Sequence, residues 1–208
     1  TDDKQENVLE NRRRFAKQLG IEPDQFAGGH QVHGKEVKRV TEAGEYEGYD
    51  AFITNRPGII LTVTAADCTP VLIFDPVNHA CGAAHAGWRG TVAGVVSDTL
   101  YSMVSEFGTD PGQCYAYIAP CISHGYFEVS ADVAQQFANQ FVKKGEAPGK
   151  YFVDLKRANA DQLIKAGVPA HQIELSELCT VANSDQFFSY RKEGGQTGRM
   201  LGVIGRRG

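Results

Sequence analysis

The stretch GIILTVTAADCTPVLIFDPVNHACGAAHAGWRG, residues 58–90, decides the fold class. It contains three short apolar runs, GIILTVTAADC, PVLIFD and ACGAAHAG, which are rich in Ile, Val, Leu and Ala. Pro70 and the turn sequence DPVNH at 75–79 interrupt these runs, a pattern typical of consecutive strands. The segment RGTVAGVVSDTLYSMVSEFG at 89–108 carries apolar residues at helical spacing and ends at a glycine. The sequence therefore predicts three strands followed by one helix at the centre of the chain.

Helical and strand patterns are interspersed on both sides of this centre. The periodicity predicts amphipathic helices at 5–20, 130–142 and 154–168. Shorter apolar runs predict strands at 36–40, 50–55, 114–122 and 173–175, and on either side of a basic loop in the tail at 186–208; KKGEAPGK at 143–150 is predicted to be a solvated loop. No repeat or linker interrupts the 208 residues, which indicates a single domain over 1–208. The lack of strict strand–helix alternation favours an α+β fold.

Composition excludes several classes of function. The chain is 42% apolar and 22% charged with a formal net charge of −4, so we expect no general affinity for nucleic acid or for an anionic membrane. No apolar run has the length of a membrane span, and no secretory signal is visible. The five cysteines are odd in number and form no CxxC pair, which favours reduced thiols and a cytoplasmic location.

One cysteine and two histidines are candidate metal ligands. Cys68 ends one predicted strand, His85 ends another one hairpin later, and His33 lies at a turn beside a glycine. Zinc prefers Cys and His ligands, and three protein ligands leave an open position for water or substrate. Two alternatives remain open: Cys68 and His85 could form a metal-free nucleophile–base pair oriented by Asp67 or Glu128, or the cysteine could be buried packing.

Five motifs carry a resemblance to a known family. HQVHG, TAADCTPVLIFDP, HAGWRGTVAGV, APCISHGYFEV and CTVANSDQFFSYRKEGGQTGR occur in this order and together resemble the bacterial laccase-domain proteins, the YfiH-like family also described as purine nucleoside phosphorylases. The resemblance runs from about Asn7 to the C-terminus. It implies an α+β fold of layered mixed β-sheets flanked by helices. It also implies a zinc ion held by two histidines and a cysteine, at His33, Cys68 and His85.

The resemblance also implies a reaction. Family members cleave adenosine, inosine, guanosine and 5′-methylthioadenosine by phosphorolysis and also deaminate adenosine, so the expected partners are a purine nucleoside and phosphate. Deamination suits an open zinc position, because zinc lowers the pKa of a bound water to about 7. Compared with the family, we expect the glycine-rich N-terminal segment with its R.GG motif to be absent. The chain also has Ala119 where glycine is common, and His124 and Gly125 in a variable stretch.

Three arginines are candidates for binding an anion or substrate. Arg89 is predicted to lie immediately before a helix that starts near Gly90, where free N–H groups and the helix dipole favour a phosphate. Arg191 and Arg199 lie in a second basic, glycine-rich loop and are candidates for substrate contact.

Two carboxylates and one aromatic residue complete the candidate site. Asp67 precedes Cys68, and Glu128 follows an aromatic pair; either could act as a general acid or base or orient a ligating histidine. Trp88, between His85 and Arg89, is a candidate to stack on a purine.

Two further functions remain as alternatives. The older family name implies copper-dependent oxidation of polyphenols, and Cu²⁺ can occupy the same three ligands in vitro. A multicopper laccase needs about ten histidines with HxH pairs, whereas this chain has six histidines and no HxH. A structural zinc domain that binds a partner would need a fourth ligand, for which His124 or Cys121 is the expected donor. The expected assembly is a monomer or a small homo-oligomer.

Overall fold

The computed structural model describes residues 3–207, and its elements follow the chain in mixed order. The helices are α1 (Gln5–Leu19), α2 (Trp88–Ala93), α3 (Val95–Phe107), α4 (Ala131–Ala134) and α5 (Leu155–Lys165). The strands are β1 (Phe26–His30), β2 (Val37–Arg39), β3 (Gly44–Glu47), β4 (Ala51–Thr54), β5 (Ile60–Ala65), β6 (Thr69–Asp75), β7 (Ala80–Ala86), β8 (Tyr115–Ile118), β9 (Glu128–Ser130), β10 (Val142–Lys144), β11 (Lys150–Val153), β12 (Ile173–Leu175) and β13 (Met200–Gly205).

The predicted hairpin at 69–86 lies at the centre of the fold. Strands β6 and β7 pair in antiparallel register from Thr69 opposite Ala86 to Asp75 opposite Ala80. Strand β7, ACGAAHA, is buried along its whole length, and its small side chains let a helix approach closely. A Cβ atom on Gly82 would lie 2.8 Å from Met103 Sδ on α3, so this contact requires glycine.

The hairpin belongs to the largest of three sheets. The largest has the strand order β12-β8-β6-β7-β4-β2, the second has the order β13-β5-β1-β3, and the third has the order β10-β11-β9. The first two sheets combine parallel and antiparallel pairs. In the largest, β2 runs parallel to β4 while β4 runs antiparallel to β7, and in the second, β1 runs parallel to β3 while β13 runs antiparallel to β5. The predicted α+β fold with layered mixed sheets and flanking helices is confirmed.

Alternation along the strands produces the layers. Ile53, Val71 and Ile73 face Leu100 on α3 and Leu163 on α5 in one core cluster. The opposite faces of the same strands carry Phe52, Leu72 and Phe74, which pack against Leu61 and Val63 of β5 in a second cluster. The outer face of the second sheet packs Phe26 and Ile60 against Ala16 of α1. The order of layers is therefore α3 and α5, large sheet, second sheet, α1.

The helix predicted at 89–108 is in fact two helices. Gly94 has φ of 87°, in the left-handed region, and its N–H caps α2 by donating to Gly90 and Thr91 carbonyls. A new helix, α3, begins at Val95. Since α2 begins at Trp88, Arg89 lies in its first turn and not before a helix that starts near Gly90, which corrects the prediction.

Other element predictions were also wrong. The helix predicted at 130–142 is limited to α4, after which a 3₁₀ turn at Asn139–Phe141 leads into β10. Turns replace the strand predicted at the start of the tail, so the tail contributes only β13 among the described residues. Strands β1 and β3 were not predicted; Gly29 permits their close pairing, because a Cβ atom there would lie 1.6 Å from Tyr46 O. The third sheet was not predicted either, since β10 and β11 include both ends of the loop predicted at 143–150.

Within residues 3–207, none of the helices combines the length and the apolar character needed to cross a membrane.

Candidate metal centre and its cleft

The three predicted ligands meet at one edge of the two large sheets. His85 lies near the end of β7, Cys68 lies between β5 and β6, and His33 lies in the loop after β1. Each offers one ligand atom, and these atoms all lie within 4.8 Å of one another. Cys68 Sγ is 3.9 Å from His33 Nε2, and the two imidazole rings are 4.9 Å apart between centroids at 78°. Residues separated by up to 52 positions in sequence therefore form one cluster.

A buried aspartate that the sequence analysis missed orients both histidines. Asp50, with no exposed surface, has Oδ1 at 2.8 Å from His85 Nδ1. Its carboxylate also accepts hydrogen bonds from the N–H groups of Val32, His33 and Gly34, at 3.1, 3.0 and 2.7 Å. Asp50 therefore fixes the loop that carries His33 and leaves His85 Nε2 as the atom available to a metal.

The backbone is strained at the cluster. His33 and Asp67 have φ of 60° and 83°, in the left-handed region that residues other than glycine rarely adopt. The hydrogen bonds to Asp50 hold His33 in this conformation. Asp67 is held by its own contacts: its carboxylate accepts from Thr180 Oγ1 at 2.5 Å and from Arg191 N at 2.6 Å. Strain that the surroundings enforce is typical of functional sites.

Gly87 leaves the room that the cluster needs. A Cβ atom at this position would lie 2.9 Å from His33 Cδ2 and 3.1 Å from Cys68 Sγ. Gly87, next to Trp88 in HAGWRG, is therefore needed because its backbone approaches two candidate ligand side chains closely. Its backbone forms part of the wall of the cluster.

The surroundings of the cluster favour the thiolate form of Cys68 and the protonated form of His85. Burial alone would raise the pKa of the Cys68 thiol, but hydrogen bonds and charge from His33 and His85 lower it to about 6. Burial disfavours the charged form of His85, but its hydrogen bond to Asp50 and its contact with Cys68 raise its pKa to about 9. The thiolate is the form of cysteine that binds metals. A metal cation would take the place of the His85 proton as the positive partner of that thiolate.

The cluster fits a tetrahedral ion with one open position. Zinc–ligand bonds of about 2.0–2.3 Å place the ligand atoms of a tetrahedral site roughly 3.3–3.6 Å apart. The 3.9 Å between Cys68 Sγ and His33 Nε2 is close to this spacing, and the group as a whole, whose ligand atoms lie within 4.8 Å of one another, would have to contract by up to roughly 1 Å around an ion. In the described part of the chain, the group contains these three residues and neither Cys121 nor His124. Cys121 Sγ is instead 3.5 Å from Ile122 O, and the His124 ring lies against Phe152.

The cluster opens into a cleft with a volume of about 910 Å³. Clefts of about 300–1,000 Å³ are typical of small-molecule sites. Aromatic side chains from three parts of the chain line it: Phe15, Phe127, Phe188 and Tyr190. Phe188 and Tyr190 are 48% and 55% exposed, which leaves their rings accessible to a ligand.

The other predicted site residues divide into two groups. Asp67, Arg191 and Arg199 line the cleft beside the cluster of His33, Cys68 and His85. Glu128, Arg89 and Trp88 are not among the cleft-lining residues, so the structure does not bring them together with the ligands.

Each residue of the second group has a different environment. The Glu128 carboxylate lies 3.9 Å from Lys150 Nζ. Trp88 packs on the apolar cluster around Ile122 and Phe127. Arg89 is exposed, with its guanidinium 4.3 Å from the centre of the Trp88 ring. Their predicted catalytic and stacking roles remain predictions.

The residues that sequence reasoning missed had weak signals or none. Asp50 is the first residue of the strand predicted at 50–55, and a charged residue at such a strand end was the one available hint. Helix α1 was predicted, but nothing in its sequence shows that Asn11, Arg12 and Phe15 line the cleft.

Comparison with known proteins gives a consistent family. A family model described as multi-copper polyphenol oxidoreductase laccase matches residues 1–207. A protein of Bacteroides thetaiotaomicron named purine nucleoside phosphorylase is 45% identical over 76% of this chain and 60% of its own length. A Deinococcus radiodurans protein of the same name is 41% identical over 95% of this chain and 77% of its own length. A prokaryotic protein named adenosine deaminase RL5 is 32% identical over 96% of this chain and 82% of its own length.

A solved structure has the same fold. The crystal structure of YlmD from Geobacillus stearothermophilus superposes with a TM-score of 0.93 at 33% identity, covering 100% of this chain and 83% of that one. On the full-length match to the family model and on these relatives, the chain belongs to the laccase-like YfiH family, whose curated members compared above are named purine nucleoside phosphorylase and adenosine deaminase.

Proposed function

We propose that this chain is a zinc-dependent purine nucleoside phosphorylase, acting on adenosine, inosine, guanosine and 5′-methylthioadenosine, with deamination of adenosine as a second activity. The observation that carries the proposal is the cluster of His33, Cys68 and His85, with room for a fourth ligand, at the side of a cleft large enough for a nucleoside. The names of the relatives support the reaction type.

The donor set supports zinc as the metal. Two imidazoles and a thiolate suit zinc in catalytic sites, which keep one coordination position free. Zinc held by these residues would supply Lewis-acid chemistry at the inner side of the cleft. The rest of the reaction then depends on how the chain's own residues bind, orient and exchange protons with the substrate.

Aromatic rings in the cleft support a purine as the group that binds. Phe127 is 9% exposed and Phe188 is 48% exposed, so a planar base would find both a packed ring and an accessible one. The Phe188 ring lies on Gly198, where a Cβ atom would be 2.7 Å from it, so its position is restricted. Stacking of a base on an aromatic ring contributes about 1–3 kcal/mol per base.

Phosphorolysis requires transfer of a ribosyl group between two nucleophiles. A phosphate oxygen forms a bond to the ribose C1′ while the bond from C1′ to the purine nitrogen breaks. The electron pair of that bond goes to the purine, which takes up a proton, and the sugar leaves as its 1-phosphate. Asp67 is better placed than Glu128 to exchange the proton, because it lines the cleft and adjoins Cys68, and it would do so in place of its hydrogen bond with the Thr180 hydroxyl.

Deamination uses the same cleft with water in place of phosphate. Water adds at the purine C6, ammonia leaves with the electron pair of the former C–N bond, and inosine is the product. This reaction needs no anion site, so the two activities should respond differently to loss of a cation.

The experiment incubates zinc-replete protein with adenosine, with and without phosphate, and separates adenine from inosine. We expect adenine release that depends on phosphate, together with slower inosine formation that does not. A chelator-treated sample should lose both activities. If neither product forms, the nucleoside proposal is wrong. Thiol-dependent hydrolysis that survives removal of the metal would instead favour a metal-free site at Cys68 and His85.

A further inference from the structure

Two arginines line the cleft without a carboxylate partner. Among residues 3–207, the ion pairs include no contact of Arg191 or Arg199 with Asp or Glu. Both residues border the cleft that holds the metal cluster. A guanidinium held at a cleft without a counter-charge is a receptor for an anion that comes from solution.

Arg191 is fixed in place by bonds that do not neutralise it. Its backbone N–H donates to Asp67 Oδ2 at 2.6 Å, which ties it to the residue beside Cys68. Its Nη1 donates to the carbonyl oxygens of Tyr126 and Glu128, at 3.3 and 3.0 Å. Carbonyl oxygens orient the guanidinium while its positive charge remains, and the hydrogen-bond contacts of the described residues leave Nε and Nη2 unused.

Arg199 is held in a similar way by its own loop. Its Nη1 donates to the carbonyl oxygens of Thr197 and Gly198, at 3.0 and 2.8 Å. Its guanidinium carbon is 5.9 Å from the centre of the Tyr190 ring. Gly195, with φ of 97°, lets Tyr190 pack back on the loop, since a Cβ atom at Gly195 would be 3.4 Å from that ring. Two carbonyl oxygens of its own loop and the Tyr190 ring thus orient the exposed guanidinium of Arg199.

Other cations near the cleft are less suitable. Arg12 is paired with Glu45 at 2.5 Å, so its charge is already compensated. Arg89 lies over Trp88 and is not a cleft-lining residue.

The carboxylates of Asp3 and Asp67 also border the cleft. The Asp67 carboxylate accepts hydrogen bonds from the Thr180 hydroxyl and the Arg191 N–H. The Asp3 carboxylate accepts hydrogen bonds from Lys4 N and Asn7 Nδ2.

We infer that Arg191 and Arg199 form the binding site for inorganic phosphate, in place of Arg89. The inference rests on the proposed phosphorolysis. In that reaction phosphate brings a double negative charge to the ribose C1′, and part of this charge is lost from the attacking oxygen as the new bond forms. Two fixed guanidinium groups hold the dianion beside the metal cluster and leave the aromatic side of the cleft to the base. Arginine suits this task because its planar donors match the spacing of phosphate oxygens.

The test compares wild-type protein with four variants, Arg199→Ala, Arg191→Lys, Arg89→Ala and Arg157→Ala, in two measurements. Initial rates of adenine release are recorded against phosphate concentration, and binding of inorganic phosphate to the zinc-loaded protein is measured by calorimetry without nucleoside. We expect Arg199→Ala to raise the KM for phosphate about tenfold or more and to weaken phosphate binding equally, since a charge-assisted hydrogen bond contributes roughly that factor. Arg191→Lys should give a smaller increase of a few fold, because lysine keeps the charge and loses the paired donors.

The controls separate this inference from the proposed function. At a fixed adenosine concentration, the ratio of adenine release to inosine formation should fall in both variants, since deamination uses no phosphate. Arg157→Ala removes an exposed arginine outside the cleft and should change nothing. If wild-type protein releases no adenine, the proposed function fails, and calorimetry still tests the anion site. Phosphate binding that depends on Arg89, or that persists in both variants and requires only zinc, would overturn the inference.

Discussion

Asp50 and Asp67 position the cluster through hydrogen bonds that no other described residue duplicates. Asp50 accepts three consecutive backbone N–H groups and contacts His85 Nδ1. Burial would raise its pKa, but the hydrogen bonds from His85 and from the N–H groups of Gly34 and Val32 lower the pKa below its usual value. Asp67 joins the Cys68 segment to Thr180 and Arg191. At the scale of single residues, ligand geometry therefore depends on carboxylates that do not themselves bind the metal.

Replacing Asp50 with asparagine should weaken metal binding. The amide keeps the size of the side chain but loses the charge. Its NH₂ group also cannot accept a hydrogen bond from the backbone N–H groups that it would face. We expect Asp50→Asn to lower zinc affinity by about 10–100-fold, the usual cost of removing the partner of a ligating histidine. Competition with a zinc chelator measures the effect. Asp75→Asn, which alters another buried aspartate away from the cluster, is the control, and equal affinities in the two variants would contradict the assignment.

A second residue-scale prediction concerns the space beside the ligands. In Gly87→Ala, the added methyl group would meet His33 Cδ2 at 2.9 Å and Cys68 Sγ at 3.1 Å, so we expect displaced ligands and at least a tenfold loss of zinc affinity. The backbone at Gly87 has φ of −67°, which alanine adopts without strain, so any fall in the thermal midpoint of the metal-free protein comes from these two side-chain contacts. Gly125→Ala, where no atom lies within 4 Å, is the matched control. Full zinc affinity in Gly87→Ala would show that the cluster does not need this space.

At the scale of elements, strands with a clear apolar run were predicted from the sequence, whereas elements that depend on glycines were missed. The β5, β6 and β7 strands were predictable because each is a short apolar run bounded by turn residues. The break between α2 and α3 was missed because a single glycine inside a helical pattern is often tolerated. Strands β1 and β3 were missed because Gly28, Gly29 and the acidic residues of β3 have low strand propensity; their pairing depends on tertiary contacts with β5.

The turn between β6 and β7 should make stability depend on pH. Burial would raise the pKa of Asp75, but the hydrogen bonds that its carboxylate accepts from Asn78 and from the N–H of Val77 outweigh this and lower the pKa below its usual value of 3.8. A carboxyl whose pKa falls on folding stabilises the native state above its unfolded value of 3.8, and this contribution disappears as the pH falls towards the folded pKa. We expect Asp75→Asn to cost roughly 1–3 kcal/mol at pH 7, since it disturbs a buried hydrogen-bonded group.

Urea unfolding at several pH values measures this contribution. The difference in unfolding free energy between wild type and Asp75→Asn should stay constant from pH 7 to about pH 5 and shrink below about pH 4. Asp98→Asn, at a partly exposed aspartate paired with Lys35, serves as the comparison and should show a much smaller difference. A difference for Asp75→Asn that does not change with pH would contradict the role of the ionised carboxylate.

At the scale of the whole molecule, the three candidate ligands were predictable and their surroundings were not. His33, Cys68 and His85 follow from ligand chemistry and from family motifs that are local in sequence. The cleft combines α1, the 122–127 segment and the 188–201 tail, which the layered packing brings together. No local pattern reports such a combination, so the aromatic residues and the position of Arg89 could only be learned from the structure.

Metal capacity is a whole-molecule prediction, and the description of the family makes it worth testing. The chain has six histidines, and within residues 3–207 a single group of three or more potential ligands is close enough to hold an ion. We expect copper-loaded protein to contain about one copper per chain and to lack the intense blue absorption of a type 1 centre. Elemental analysis with visible spectroscopy provides the measurement. Four coppers per chain with strong blue colour would identify a multicopper oxidase and contradict the nucleoside proposal.

The most direct test is a zinc titration of metal-free protein during phosphorolysis of adenosine. Phosphate-dependent adenine release is recorded as zinc is added in fractions of an equivalent, with Cys68→Ser in parallel. We predict a rate that rises linearly and levels off at one zinc per chain, and a flat, low rate in Cys68→Ser at the same zinc concentrations. Full phosphorolysis in the metal-free protein, or a rate that rises equally in Cys68→Ser, would contradict the assignment of His33, Cys68 and His85 as the catalytic zinc centre.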